Sequence, residues 1–190
     1  MGGPRRAPGD AIAATTEALE ILRDAFAGTG RVVSPGQHYP VPGYHAGRPP
    51  AHDIRLWVGA AKPRMLQLIG RHAGGWVSPL SIYTPPNQVP QSHAIIDAAA
   101  IAAGRNPSEV RRLYNVVGSI GPRSGGQGLN GPVGLWIETL TEWATDLGLD
   151  TFVFWPADAT EQQVRQFAEE VVPAVLEEVN AMRTTSAGTF

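Results

Sequence analysis

The chain has 190 residues, of which 43% are hydrophobic and 17% charged, and its formal net charge is −2 at pH 7. This length fits one domain with a buried core, and the charge argues against the basic surface of a general nucleic-acid or membrane binder. The absence of cysteine excludes disulfides and thiol chemistry, and no apolar run reaches the roughly 18 residues of a membrane span. We therefore expect a cytoplasmic protein without nucleic-acid or membrane partners.

Residues 1–52 predict one helix followed by a loop. Asp10 is expected to be the N-cap of the helix, because its carboxylate can accept hydrogen bonds from the free N–H groups of a first turn. Apolar residues then recur at helical spacing, and Gly28 and Gly30 end the helix. Residues 31–52 are rich in Pro, Gly and His, which is typical of an extended loop with at most a short hairpin.

From residue 53 to residue 180 the pattern alternates between strand and helix four times, and a tail follows at 181–190. The predicted strands cover residues 54–58, 75–78, 113–117 and 151–155. A capping box at Thr160–Gln163 begins the last helix, and Pro173 is expected to kink it. Such alternation implies right-handed parallel βαβ units. Four units can form an open doubly wound sheet or half of a (β/α)8 barrel, since a full barrel needs about 250 residues, and the alternation does not choose between them.

The joint between the first of these strands and its helix, WVGAAKPRML at 57–66, is the best candidate for chemistry. It places small residues at the carboxyl end of a strand, where ligands bind in parallel α/β folds. Free N–H groups and the helix dipole would face an anion there, and two cationic side chains flank the proline. The residues alone leave two interpretations open, a phosphate-binding turn and a plain strand-to-helix joint with two exposed cations. The candidate residues are Gly59, Ala60, Ala61, Lys62 and Arg64.

Two other patterns suggest sites that their context does not support. The stretch 126–131 has the spacing G-x-G-x-x-G, but a dinucleotide-binding loop begins directly after a strand, and Asp150 precedes its strand instead of following it. We predict a flexible loop before a helix. His38, His45 and His52 are spaced by seven residues, which matches no common zinc pattern, so we predict no metal site.

A series of short segments occurs along the chain in an order shared with one family. They include GGPRRAPGD at 2–10, the pair at 38–39, 57–66, GRHAGGW at 70–76, 103–107, 113–115, 150–154 and 167–175. Together these segments resemble the bacterial luciferase-like monooxygenases, particularly their deazaflavin-dependent oxidoreductases. The resemblance implies a single luciferase-like domain over residues 1–190. It also implies α/β architecture, with the four βα units forming half of a (β/α)8 TIM-type barrel of parallel strands and outer helices.

The same resemblance implies an oxidoreductase that uses coenzyme F420 or FMN for hydride transfer to, or oxygenation of, a small organic substrate. The turn from Gly59 to Pro63 would lie against the cofactor phosphate, and Trp76 would border the cofactor. No catalytic residue is assigned, because the family's first four strands have no counterpart here. The family usually has Asp where this chain has Gly74, which removes an acidic group.

The missing strands also bear on partners. Four parallel strands leave two unpaired edges and an uncovered apolar face, so we expect a homo-oligomer or pairing with a missing half-barrel. The chain would then be a truncated oxidoreductase or a true half-protein. The alternative function is a non-catalytic cofactor-binding or assembly half-barrel without turnover. A third, less favoured hypothesis is an unrelated phosphosugar-binding α/β protein.

Overall fold

The computed structural model describes residues 6–28, 30–158 and 160–187, with side chains described as far as residue 185. The chain divides into two compact units. The first is formed by residues up to Trp76 and by Ser92–Val110, and the second by Val77–Gln91 and the residues from Arg111 onward. The predicted single domain over residues 1–190 stays a prediction.

The elements follow one another in the alternating order that the sequence predicts. They are α1 (Pro8–Ala27), β1 (Arg31–Ser34), β2 (Val41–His45), β3 (Trp57–Gly59), α2 (Pro63–His72), β4 (Gly75–Leu80), α3 (Val89–Ala102), β5 (Arg111–Ile120), β6 (Leu129–Gly131), α4 (Val133–Thr145), β7 (Thr151–Pro156), α5 (Glu161–Gln166) and α6 (Val172–Ala187). Among the described residues, no helix has the length and apolarity that a bilayer crossing requires.

The strands form a hairpin and a larger parallel sheet. β1 and β2 pair antiparallel, so the segment predicted as an extended loop with at most a short hairpin does contain a hairpin. The five-stranded sheet has the order β3-β4-β5-β6, and β7 pairs with β5. β5 runs parallel to both of its later partners, with Leu113 opposite Thr151 and Gly118 opposite Leu129. With helices beside these strands, the predicted parallel α/β class is confirmed.

In the first unit, close packing of helices depends on one glycine. α2 buries Leu66, Leu68 and Ile69. Beside them, an ideal Cβ built on Gly70 would lie only 2.2 Å from the carbonyl oxygen of Ile96 in α3. Side chains larger than hydrogen cannot fit there without moving backbone. Gly70 therefore sets how closely the two helices approach.

In the second unit, aromatic side chains form the core beneath the strands. Trp136 of α4 packs edge-on against Phe154 of β7, with ring centroids 5.0 Å apart, and Phe154 stacks on Phe167 at 4.7 Å. The Tyr114 hydroxyl donates to the Thr84 carbonyl oxygen at 2.5 Å. Burial raises the pKa of this phenol well above its ordinary value, so Tyr114 remains a neutral hydrogen-bond donor at neutral pH.

The helix starts correct two predictions. α1 begins at Pro8, and its N-cap Ala7 offers no side-chain hydrogen bond, so the prediction that Asp10 is the N-cap is wrong; proline at the first helical position takes its place. At the start of α5 only half of the capping box forms. Thr160 accepts from the Gln163 N–H, but the Gln163 amide bonds both backbone groups of Ile120 at 2.7 Å.

Two local features were not resolved by sequence patterns. The glycine loop predicted before α4 contains the short strand β6, and an ideal Cβ on Gly128 would lie 2.5 Å from the Val117 carbonyl oxygen. Glycine there permits two backbones to approach. Ahead of Pro173, the backbone forms a π-helical segment, Phe167–Val171, in which the Val172 N–H donates to the Phe167 carbonyl. The predicted kink at Pro173 stays a prediction, and the structure shows a π-helical segment directly before this proline.

A single carboxylate of α1 holds the loop that precedes β2. The Glu17 oxygens accept from the backbone N–H groups of Gln37, His38 and Tyr39 at 2.8–3.1 Å. Desolvation works to raise the pKa of this carboxyl, but the three N–H groups and the charge of His38 together lower it below its ordinary value. Ionised Glu17 therefore stabilises the folded state at neutral pH.

We expect Glu17→Gln to lower the urea midpoint of unfolding at pH 7. Because the folded-state pKa lies below the unfolded value, this stabilisation is complete above the unfolded pKa of about 4.3 and is lost as pH falls through the folded value. The difference between variant and wild type should therefore shrink from pH 7 to pH 3. Glu138→Gln, at an exposed position of α4, is the control. A difference that stays constant over this range would contradict the assignment.

Candidate functional site

The turn between β3 and α2 is exposed and lacks a side-chain cap. β3 ends at Gly59, α2 begins at Pro63, and Lys62 occupies the N-cap position without making a side-chain capping bond. Gly59, Ala61, Lys62 and Arg64 are all exposed. The structure thus brings the predicted cationic and small residues together at one helix start.

The backbone of the first turn leaves a donor for a ligand. The N–H groups of Met65 and Leu66 both donate to the Lys62 carbonyl at 3.0 Å, and Pro63 has no N–H. The Arg64 N–H lies in the first turn, where no preceding helical carbonyl can accept from it. That donor and the positive end of the helix dipole are the features that favour an oxyanion at such a position.

Trp76 supports the turn from the buried side. Its indole N–H donates to the Ala60 carbonyl oxygen at 2.8 Å, and its ring meets His93 edge-on, with centroids 5.4 Å apart. The side chain is 0% exposed. The indole therefore presents no open face to a ligand, and it can border a cofactor only from behind the turn that it anchors.

An exposed tryptophan lies beside this turn on β3. Trp57 is 41% exposed, and an ideal Cβ on Gly75 would lie 2.7 Å from its ring. Glycine at position 75 therefore makes room for the indole. At the neighbouring Gly74, where the family usually has Asp, an ideal Cβ would lie 2.9 Å from the Cβ of Arg55. A side chain at position 74 would therefore meet the Cβ and Cγ of Arg55.

The second unit contains a polar network that sequence analysis missed. The Asn115 side-chain amide donates to the Ser78 carbonyl at 2.5 Å, and its oxygen accepts from the Trp155 indole N–H at 2.9 Å. Asn115 and Ser78 are buried, whereas the Trp155 side chain is 50% exposed. The network thus fixes the orientation of an exposed aromatic ring on β7. The available signal was an asparagine inside the apolar run of β5.

The three evenly spaced histidines have separate surroundings in the first unit. His38 Nδ1 accepts a hydrogen bond from the Arg6 guanidinium at 2.8 Å, and His45 is the last residue of β2. His52 lies in the segment before β3 and lines a cavity. Their seven-residue spacing corresponds to no shared structural element.

A family model matches the sequence of this chain. The model of the luciferase-like monooxygenases matches residues 2–124, which is more than half of the chain. The chain therefore belongs to the luciferase-like monooxygenase family, and the resemblance inferred from its motifs is confirmed. No curated protein sequence gives a significant match.

Solved structures share the fold at low sequence identity. An F420-dependent secondary alcohol dehydrogenase in complex with an F420-acetone adduct has a TM-score of 0.79 and 13% identity, over 92% of this chain and 65% of that one. The coenzyme F420 dependent tetrahydromethanopterin reductase from Methanopyrus kandleri has a TM-score of 0.67 and 17% identity, over 85% and 63%. A long-chain alkane monooxygenase has a TM-score of 0.64 and 12% identity, over 78% and 47%. The likeness confirms the predicted TIM-barrel-type fold class, and the chain spans less than two thirds of each of these structures.

Proposed function

We propose that this chain carries the phosphate end of the cofactor site in an oxidoreductase of the luciferase-like monooxygenase type. The observation that carries the proposal is the start of α2, which has no side-chain cap and lies next to the exposed residues Lys62 and Arg64. Family membership supports it, as do neighbours whose names include F420 or modified FMN. The cofactor would be coenzyme F420 or FMN, and the substrate a small organic molecule.

The residues of the turn fit a phosphate group. The small side chains of Ala60 and Ala61 let an oxyanion approach the backbone, the Arg64 N–H can donate to it, and the Lys62 ammonium adds charge without a fixed geometry. Trp76 holds the Ala60 carbonyl and so limits movement of the turn. When bound, the cofactor would supply hydride transfer or, as flavin, oxygenation, while these residues bind and orient it.

A complete site would need chain segments beyond these elements. Trp57 of β3 and Trp155 of β7 expose 41% and 50% of their surface, and a partner that covered these strands would bury both rings. That partner would be a second copy of this chain or the other half of a barrel. We place the protein in the cytoplasm as part of the same proposal. The same exposure favours the alternative function, a half-barrel that binds cofactor or assembles without turnover. A monodisperse monomer in sedimentation would contradict the partner.

Lys62→Ala should weaken the binding of FMN or F420 by about tenfold, because one charge-assisted contact to phosphate contributes about 1.4 kcal/mol. The measurement is a fluorescence titration of the purified chain with each cofactor. Arg123→Ala, which removes an exposed cation from the loop before β6, should leave the affinity unchanged. If neither cofactor binds to the wild-type chain, or if Lys62→Ala binds as tightly as wild type, the proposed phosphate-binding turn is wrong.

A further inference from the structure

A concave site lies in the first unit, at the end of β3 opposite the turn. Its volume is about 720 Å³. The walls are the end of α1, the segment 52–56 that precedes β3, the segment 71–74 at the end of α2, and two residues after α3. This volume falls within the usual 300–1,000 Å³ range of small-molecule sites. The cavity shares none of its lining with residues 59–64.

Part of the charge in this cavity is internally balanced. The Asp53 carboxylate pairs with Arg55 at 3.2 Å, and the Glu109 carboxylate lies 3.9 Å from Arg105. Arg105 also donates to the carbonyl oxygens of Gly70 at 2.7 Å and Ala73 at 2.9 Å. These bonds fix the Arg105 guanidinium at the negative end of the α2 dipole, so this part of the wall is preorganised.

Two further guanidinium groups of the cavity, those of Arg23 and Arg71, form no ion pair with a carboxylate of the residues that the structure describes. Arg23 donates to the His72 carbonyl at 2.7 Å, which holds it over the end of α2. Arg71 is exposed and makes no hydrogen bond or ion pair with any residue that the structure describes. The lining therefore has four arginines against two acids, and Arg71 is the group free to bind an anion.

The half-buried His72 is kept neutral mainly by burial and further by the arginine charges. Burial lowers the pKa of its imidazole, the Glu20 carboxylate opposes this, and the charges of Arg23, Arg71 and Arg105 lower the pKa further. The imidazole is therefore neutral at pH 7, and His72 adds no positive charge to the cavity. An anion bound here would offset the arginines and raise the pKa of His72.

We propose that this cavity binds a small organic polyanion that carries phosphate or carboxylate groups. Guanidinium forks match the paired oxygens of both groups, and the preorganised wall reduces the ordering cost of binding. The cavity is larger than a single phosphate or carboxylate group, so it can also hold the carbon skeleton of the ligand. This site is independent of the cofactor turn at the other end of β3.

Calorimetric titration of the purified chain with inorganic phosphate, pyrophosphate and citrate, at ionic strength held constant with chloride, tests the proposal. At least one probe should bind, and the order of affinity between pyrophosphate and citrate assigns phosphate or carboxylate chemistry. NMR of His72 should show its pKa rising when the probe is present. If no probe binds, or if the pKa of His72 stays unchanged on binding, the proposal is overturned.

Variants separate this cavity from the cofactor turn. Arg71→Ala should weaken the binding of the probe by about tenfold, which corresponds to one charge-assisted contact, and Arg71→Lys should restore part of it. Lys62→Ala should leave the rise in the pKa of His72 on probe binding unchanged, because His72 lines the cavity and Lys62 does not, so failure here is distinguishable from failure at the turn. Because Arg71 is exposed, the variants are expected to fold. Equal affinity of wild type and Arg71→Ala would overturn the assignment.

Discussion

Gly70→Ala is expected to lower the free energy of unfolding by about 3 kcal/mol, the upper part of the range for overpacked cores. The added methyl carbon would lie 2.2 Å from the Ile96 carbonyl oxygen and 2.9 Å from the Ala100 backbone nitrogen. Both obstacles are backbone atoms of α3, so relief requires moving one helix relative to the other. The intrinsic preference of helices for alanine, about 1 kcal/mol, is too small to offset this.

Gly134→Ala on α4 is the matched control. Gly134 is also a helical glycine, but an ideal Cβ on it meets no atom within 4 Å. The control should therefore raise the free energy of unfolding by up to about 1 kcal/mol. Urea unfolding of both variants measures the difference. A Gly70→Ala protein as stable as wild type would show that α2 and α3 are less closely packed than described.

The order of elements could be predicted because it depends on local periodicity. Helices with one apolar face and short apolar strands are visible in the sequence, and α2 starts at Pro63 as predicted. β6 could not be predicted, because three residues ending in glycine form a strand only where β5 offers a partner. Gln163 likewise bonds Ile120, 43 positions earlier in the chain, instead of its own helix start. Long-range hydrogen bonds of this kind have no local signature.

The candidate site divides in the same way. The turn was predictable because its small and cationic residues are consecutive in the sequence, although its role in binding stays a prediction. The direction of the Trp76 ring depends on packing against His93 and could not be predicted. The cavity at the other end of β3 combines residues from positions 23 to 109, and only the folded unit brings them together. Asn115 could have been found from the sequence, since a polar residue inside an apolar strand indicates a buried hydrogen-bonded side chain.

Trp76→Phe should reduce both stability and cofactor affinity. Phenylalanine leaves a void in a fully buried position and removes the indole N–H that donates a hydrogen bond to the Ala60 carbonyl oxygen. Together the two losses should lower the free energy of unfolding by about 3 kcal/mol. Under the proposed function, the loosened turn should also bind FMN or F420 about tenfold less tightly, although Lys62 and Arg64 are untouched. Urea unfolding and fluorescence titration measure the two effects.

Trp136→Phe separates anchoring of the turn from loss of packing. Trp136 is likewise 0% exposed, and its indole N–H donates to the Ser119 carbonyl at 3.4 Å, within the second unit. Its replacement should leave a void of similar size and remove a weaker hydrogen bond, so it should also lower the free energy of unfolding. Cofactor affinity should stay unchanged at temperatures where both variants are folded. If the two variants lose affinity equally, the effect comes from general destabilisation, and Trp76 has no specific role in positioning Ala60. If only Trp76→Phe loses affinity, the buried indole acts through the backbone of the turn, as its contact with Ala60 implies.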